Sequence, residues 1–184
     1  IQYDAFFNDP KRALQFFLKN QLLANFEVLL SPCDFMKLTA EQKFTFLVSK
    51  KITLVFSLSE GYIATSDSIQ TLPLSWYFYT GGSYSVRGFK YQSIGSDINK
   101  YYDYNNYLYT ASFETQYNLQ KDFSLISFVD MGDATENIHT SQPCVAMGAG
   151  VLWKTFAGDL EISVAKPIIN HSSDPSMRPR LNII

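Results

Sequence analysis

The sequence predicts an all-β fold, a transmembrane antiparallel β-barrel with about eight strands in these 184 residues. Two observations carry that reading, and a third is compatible with it. Apolar and polar residues alternate with period two over runs longer than the ~5–6 residues of an ordinary soluble strand. The connections between runs alternate between tight turns and long loops, as in outer-membrane barrels with short periplasmic turns and long extracellular loops. Aromatic residues make up 16% of the chain, 15 Phe and 12 Tyr among them, a content found in antibody-like sandwiches, carbohydrate binders and the girdled barrels of outer membranes, and by itself it does not choose among these.

The first strand is expected around Arg12–Leu30, with Leu14, Phe16 and Leu18 against Gln15, Lys19 and Gln21. In the second, Met36, Leu38, Ala40, Phe44, Phe46 and Val48 oppose Lys37, Thr39, Glu41, Lys43 and Thr45. Ser49-Lys50-Lys51 is a tight turn into Ile52, Leu54, Phe56 and Leu58, which oppose Thr53, Ser57 and Ser59. A long loop follows at about 62–106. The cleanest strand then runs from Tyr107: Tyr109, Ala111, Phe113 and Tyr117 share one face, and Thr110, Ser112, Glu114 and Gln116 the other. Gln120-Lys121-Asp122 turns into a less regular strand, Phe123–Met131. After a longer loop, Val145, Met147, Ala149, Val151 and Trp153 oppose Ala146, Gly148, Gly150 and Lys154. Phe156-Ala157-Gly158 turns into Leu160, Ile162 and Val164, which oppose Asp159, Glu161 and Ser163, and Arg178–Ile184 opens a last strand. Charged residues such as Lys43, Glu114, Asp159 and Glu161 fall on the polar faces, where a wet lumen tolerates them and lipid does not. A soluble antiparallel sheet with one solvated face shares the same alternation.

Composition narrows the function. A net charge of −2 and a pI near 5.6 leave no basic field to recruit nucleic acid. Although 46% of residues are hydrophobic, mean hydropathy is −0.07, so apolar residues are interleaved and no run approaches the ~18 needed for a membrane helix. The opening Ile1-Gln2-Tyr3-Asp4 lacks the order of a signal peptide and reads as the middle of a longer protein. Cys33 and Cys144 fit neither a disulfide scaffold nor a zinc site and are open to being free or paired. His139 and His171 lack ligand spacing, Gly81-Gly82 is no phosphate loop, and no nucleophile elbow occurs. The chain therefore reads as one domain, 1–184, with no catalytic residues, metal or cofactor.

The long loop is distinctive. Gly81-Gly82, then Val86-Arg87-Gly88-Phe89, then Gly95 resembles the sixth extracellular loop of the BamA/TamA superfamily of outer-membrane protein assembly barrels, also described as the bacterial surface antigen domain. Phe128-Val129-Asp130-Met131-Gly132 is similar to that family's aromatic-x-Asp-x-Gly strand end. Gly148–Val151, Gly158–Glu161 and Ala165-Lys166-Pro167 resemble its next hairpin. The resemblance runs from about Asn8 to the end. Ala13 departs from it where Gly is usual, as do the Lys154–Gly158 turn, which lacks the common Pro, and the missing terminal aromatic.

What the resemblance implies is specific. This chain would be the C-terminal half of a sixteen-stranded barrel in the bacterial outer membrane. The loop at 62–106 would fold back into the lumen, where Arg87 contacts the acidic residues Asp130 and Glu114. A guanidinium suits that task because its rigid fork of donors matches carboxylate geometry. The partners implied are the lipid bilayer, unfolded outer-membrane protein clients, and periplasmic subunits engaged through N-terminal repeats lying outside this chain. The function implied is an insertase or translocation barrel, TamA-like or BamA-like. A two-partner-type polypeptide secretion pore is the alternative within the superfamily. From another class stand an outer-membrane hydrolase, which needs a serine and histidine paired at the lipid boundary, and a passive porin or surface antigen, which needs no Arg87 motif.

Overall fold

The computed structural model describes residues 2–9, 14–25, 35–65, 72–95, 104–119, 122–156 and 158–184. Nine strands form one sheet in chain order: β1 (Gln2–Asp9), β2 (Leu14–Asn25), β3 (Phe35–Leu47), β4 (Ile52–Thr65), β5 (Tyr107–Asn118), β6 (Phe123–Thr135), β7 (Cys144–Thr155), β8 (Gly158–Ile169) and β9 (Arg180–Ile183). Every strand pairs antiparallel with its sequence neighbour, and among the described residues β1 and β9 have one neighbour each. The helices among those residues are single 3₁₀ turns at Leu74–Trp76 and Ile138–Thr140.

Periodicity found eight of these strands and missed β1. In Gln2–Asp9 the adjacent Phe6 and Phe7 break the alternation of Tyr3 and Ala5 with Gln2 and Asp4, so the segment carries no clean two-residue signal. Other boundaries move modestly. Of the strand expected around Arg12–Leu30 the structure describes Leu14–Asn25, and Arg12, Ala13, Leu30 and Cys33 lie outside the described residues. β4 continues to Thr65, so the long connection starts beyond it rather than at 62. β6 extends to Thr135, and β9 is shorter than Arg178–Ile184.

Register sorts the two faces. Phe44 pairs with Phe56, Phe56 with Phe113, Phe113 with Val129, Val129 with Met147, and Val151 with Ile162. This face is exposed: Phe113 is 50% accessible, and Met147, Val151, Trp153, Ile162 and Val164 are all open. Stacked or tilted rings tie neighbouring strands together there, as in Phe44–Phe56 at 6.1 Å and Phe123–Trp153 at 5.5 Å. The opposite face holds Lys43, Ser57, Thr110, Ser112, Glu114, Gln116, Asp159 and Glu161, which line a cavity of about 330 Å³. Ile126, Phe128, Leu152 and Ala165 form a small apolar cluster on that same side.

The inner face is concave. The long loop reaches β3 through the Lys37 ammonium, which donates to the Trp76 carbonyl at 2.7 Å. It reaches β9 through the Ser83 hydroxyl, which donates to Asn182 at 3.3 Å. A flat sheet would put those two strands roughly 29 Å apart at about 4.8 Å per step. One loop can touch both because the strands curl around it.

Candidate functional site

The loop is built on two apolar footings. At its root, Phe35, Ile63, Leu72, Tyr77, Phe78 and Ala134 pack together, with Trp76 edge-on to Phe35 at 4.8 Å. The Phe78 ring lies so close over Gly61 that a Cβ there would fall 2.5 Å from Cζ, and the Lys37 ammonium sits 4.3 Å above the same ring. Further along, Thr80 and Ile94 form a short antiparallel bridge that closes the segment between them into a hairpin-like unit. Gly81 and Gly82, at φ 103° and 105°, turn the chain there, and the Gly82 N–H donates to the Val86 carbonyl at 3.3 Å. Val86, Phe89 and Ile94 then pack with Cys144 and Ala146 of β7.

This seating delivers Arg87 to the inner face, where it is 6% exposed. Its guanidinium uses every N–H it has. Nε donates to Asp130 Oδ2 at 2.8 Å and Nη2 to Asp130 Oδ1 at 2.9 Å, a bidentate fork. Nη1 donates to Glu114 Oε2 at 2.9 Å and to Glu161 Oε1 at 3.0 Å. The remaining Nη2 hydrogen goes to the Ser112 hydroxyl at 3.2 Å. Asp130, fully buried, is equally saturated: besides the fork it accepts the Arg87 backbone N–H at 3.1 Å and the Ser112 hydroxyl at 2.6 Å. The Gln116 amide steadies Glu114 at 2.8 Å. Beneath the guanidinium lies the Phe128 ring, 3.3 Å from Cζ to centroid, whose negative face favours the cation.

The electrostatic balance is set by competition. Burial alone would lower the Arg87 pKa, but the hydrogen bonds and charge of Asp130, with Glu114 and Glu161, outweigh it and raise the pKa above the ordinary arginine value. Its charge is therefore fixed at any pH the protein meets. Three carboxylates on one cation make a clamp that holds the loop to β5, β6 and β8 together.

Close approach explains the surrounding glycines. Gly88, at φ 90°, puts its Cα where a Cβ would lie 3.2 Å from Ala165 and 3.3 Å from Ala146, so the loop backbone lies directly against β7 and β8. A Cβ on Gly132 would meet Val86 at 3.0 Å and Thr110 at 2.9 Å, and one on Gly148 would strike Phe128 at 2.4 Å. The structure thus brings Gly88, Phe89, Phe128, Asp130, Gly132 and Glu114 around Val86 and Arg87, with Gly81 and Gly82 at the turn leading in.

The matching family model, the Omp85 superfamily domain, spans residues 8–183. The chain belongs to the Omp85 superfamily. Its fold is similar to that of BamA from Haemophilus ducreyi lacking POTRA domains 1–3, with a TM-score of 0.70 at 16% identity. The match covers 100% of this chain and 41% of that one, so the chain spans well under half of the BamA structure it resembles.

Within this Omp85 fold, sequence reasoning passed over Glu161 as an Arg87 partner. Its signal was present: Asp159, Glu161 and Ser163 alternate with Leu160, Ile162 and Val164, which places Glu161 on the inner face. Nothing local said that β8 would curl back toward a loop anchored on β5 and β6. The Phe128 ring was recognised as part of a strand-end motif, but its place under the guanidinium depends on β6 and the loop meeting. Cys144 is free and buried, and the backbone N–H of His171 donates to its sulfur at 3.3 Å. Among the described residues no His, Cys, Asp and Glu cluster has the makings of a metal site.

Proposed function

We propose that this chain is the C-terminal part of a sixteen-stranded barrel in the bacterial outer membrane that inserts other β-barrel or autotransporter proteins. Its exposed face supports the membrane setting. Phe113, Met147, Val151, Trp153, Ile162 and Val164 all stand exposed on the outer face, and hydrocarbon is the solvent that suits such a set. The observation that carries the functional reading is the Arg87 clamp: a long loop held inside the concave face by three carboxylates. A passive porin or surface antigen would not need the Arg87 motif. An insertase has a use for it, because the loop braces the wall while terminal strands stay available for edge pairing with a client strand.

Under this reading the partners are lipid, unfolded outer-membrane clients, and periplasmic subunits engaged through domains outside this chain. No covalent chemistry or cofactor takes part. The test is reconstitution of the full-length protein in liposomes with an unfolded barrel client. Faster client folding than in empty liposomes, slowed in Arg87→Ala, is the expected result. Liposomes that leak small solutes freely while client folding stays at the empty-liposome rate would instead point to a porin.

A further inference from the structure

The same loop is fastened to the terminal hairpin at four separate residues. Ser83 donates its hydroxyl to the Asn182 side chain in the middle of β9. Arg87 Nη1 donates to both carboxylate oxygens of Glu161, at 3.0 and 3.2 Å. Gly88 lies against Ala165, the β8 residue that pairs with Arg180. The Ser93 carbonyl accepts both the backbone N–H and the hydroxyl of Ser173, at 2.9 and 3.0 Å, in the connection between β8 and β9.

β9 is the strand that most depends on outside help. It has four residues, and its register with β8 runs only from Ala165–Arg180 to Ile162–Ile183. The ladder closes on Glu161, whose backbone exchanges hydrogen bonds with Ile184 at 2.8 and 3.0 Å. Glu161 therefore joins the two systems: its backbone ends the β8–β9 ladder and its side chain is held by the loop. Asn182 is 3% exposed and Ser83 half-buried, so their bond is partly shielded from water.

We propose that Ser83, Glu161 and Asn182 are positioning residues that make the loop a latch on β9, so that loosening the loop selectively frees the last strand. The contacts run to β8, β9 and their connection, and a displaced loop gives up all four at once. The insertion reading enters only in the consequence, that a freed β9 alters the seam where clients add.

Amide hydrogen exchange on the full-length protein in lipid nanodiscs tests this. Glu161→Gln keeps the shape but weakens the charged bond to Arg87. Exchange across residues 180–183 should rise about tenfold, and severalfold in Ser83→Ala, with β5 and β6 unchanged. Ser83→Thr, which retains a hydroxyl, should stay at the wild-type rate. Equal exchange in β9 for Ser83→Ala, Glu161→Gln and wild type would overturn the latch. So would a rise of the same size in β5 and β6, which reports general loosening. If Glu161→Gln does not fold, Ser83→Ala decides alone, since Ser83 lies outside every strand. Client folding measured on the same samples separates the two proposals: a freed β9 in a protein that folds clients no faster than empty nanodiscs supports the latch and counts against the insertase reading.

Discussion

Replacing Arg87 with alanine removes all five N–H donors from a cluster whose acceptors have little access to water. Side-chain exposure is 0% for Asp130, 11% for Glu161 and 13% for Glu114. An ion pair in water stabilises by about 0–1 kcal/mol, whereas removing one partner of a buried pair costs about 3–5 kcal/mol because the other charge is stranded. The burial here puts the clamp in the second class, and three carboxylates left together repel as well. Loop docking should weaken by about two to four orders of magnitude. The strand ladder does not pass through Arg87, so the barrel itself should survive. Hydrogen exchange across residues 80–94 in nanodiscs reads the loop, and heat-modifiable gel mobility reads the barrel. Arg87→Lys should restore little, since an ammonium cannot span Asp130 bidentately while reaching Glu114 and Glu161. Combining Arg87→Met with Asp130→Asn, Glu114→Gln and Glu161→Gln should recover part of the loss by removing the stranded charges. Wild-type protection of residues 80–94 in Arg87→Ala would refute the reasoning, because the loop would then be held by its apolar footing alone.

Three further outcomes follow from the same geometry. Gly88→Ala should destabilise loop docking by about 1–3 kcal/mol, since a Cβ at φ 90° is strained and presses on Ala165 and Ala146; faster exchange at 86–89 is the check. Phe128→Leu should leave the Asp130 fork in place but remove the ring under the guanidinium, costing about 0.5–2 kcal/mol in the equilibrium that loop exchange reports. The raised Arg87 pKa means that its charge contributes fully below the ordinary arginine value and is lost only as pH rises through the still higher folded value. Loop protection, corrected for the intrinsic exchange rate, should therefore show no alkaline loss from Arg87 between about pH 7 and 10.

Much of this protein is legible in its sequence because a strand's faces are decided two residues at a time. Tyr109, Ala111 and Phe113 against Thr110, Ser112 and Glu114 assign both faces of β5 without reference to any other part of the chain. Short connections from Leu47 to Ile52 and from Thr155 to Gly158, set against long ones, arrange the strands as sequential neighbours. The Val86–Phe89 tetrapeptide marks the loop that matters. Local pattern fails where alternation lapses, as at Phe6-Phe7 in β1. It also fails where a partner depends on curvature. Arg87 meets Asp130 and Glu114 on adjacent strands, but Glu161 lies three strands from Glu114, roughly 14 Å away on a flat sheet. One Nη1 donates to both glutamates only because the sheet bends and the two side chains converge. The ring of Phe128 under the guanidinium and the bond from Ser83 to Asn182 have the same origin. Which face a residue occupies is a local property of the strand; which residues meet across that face is decided by the curvature of the strands from β3 to β9 around one loop.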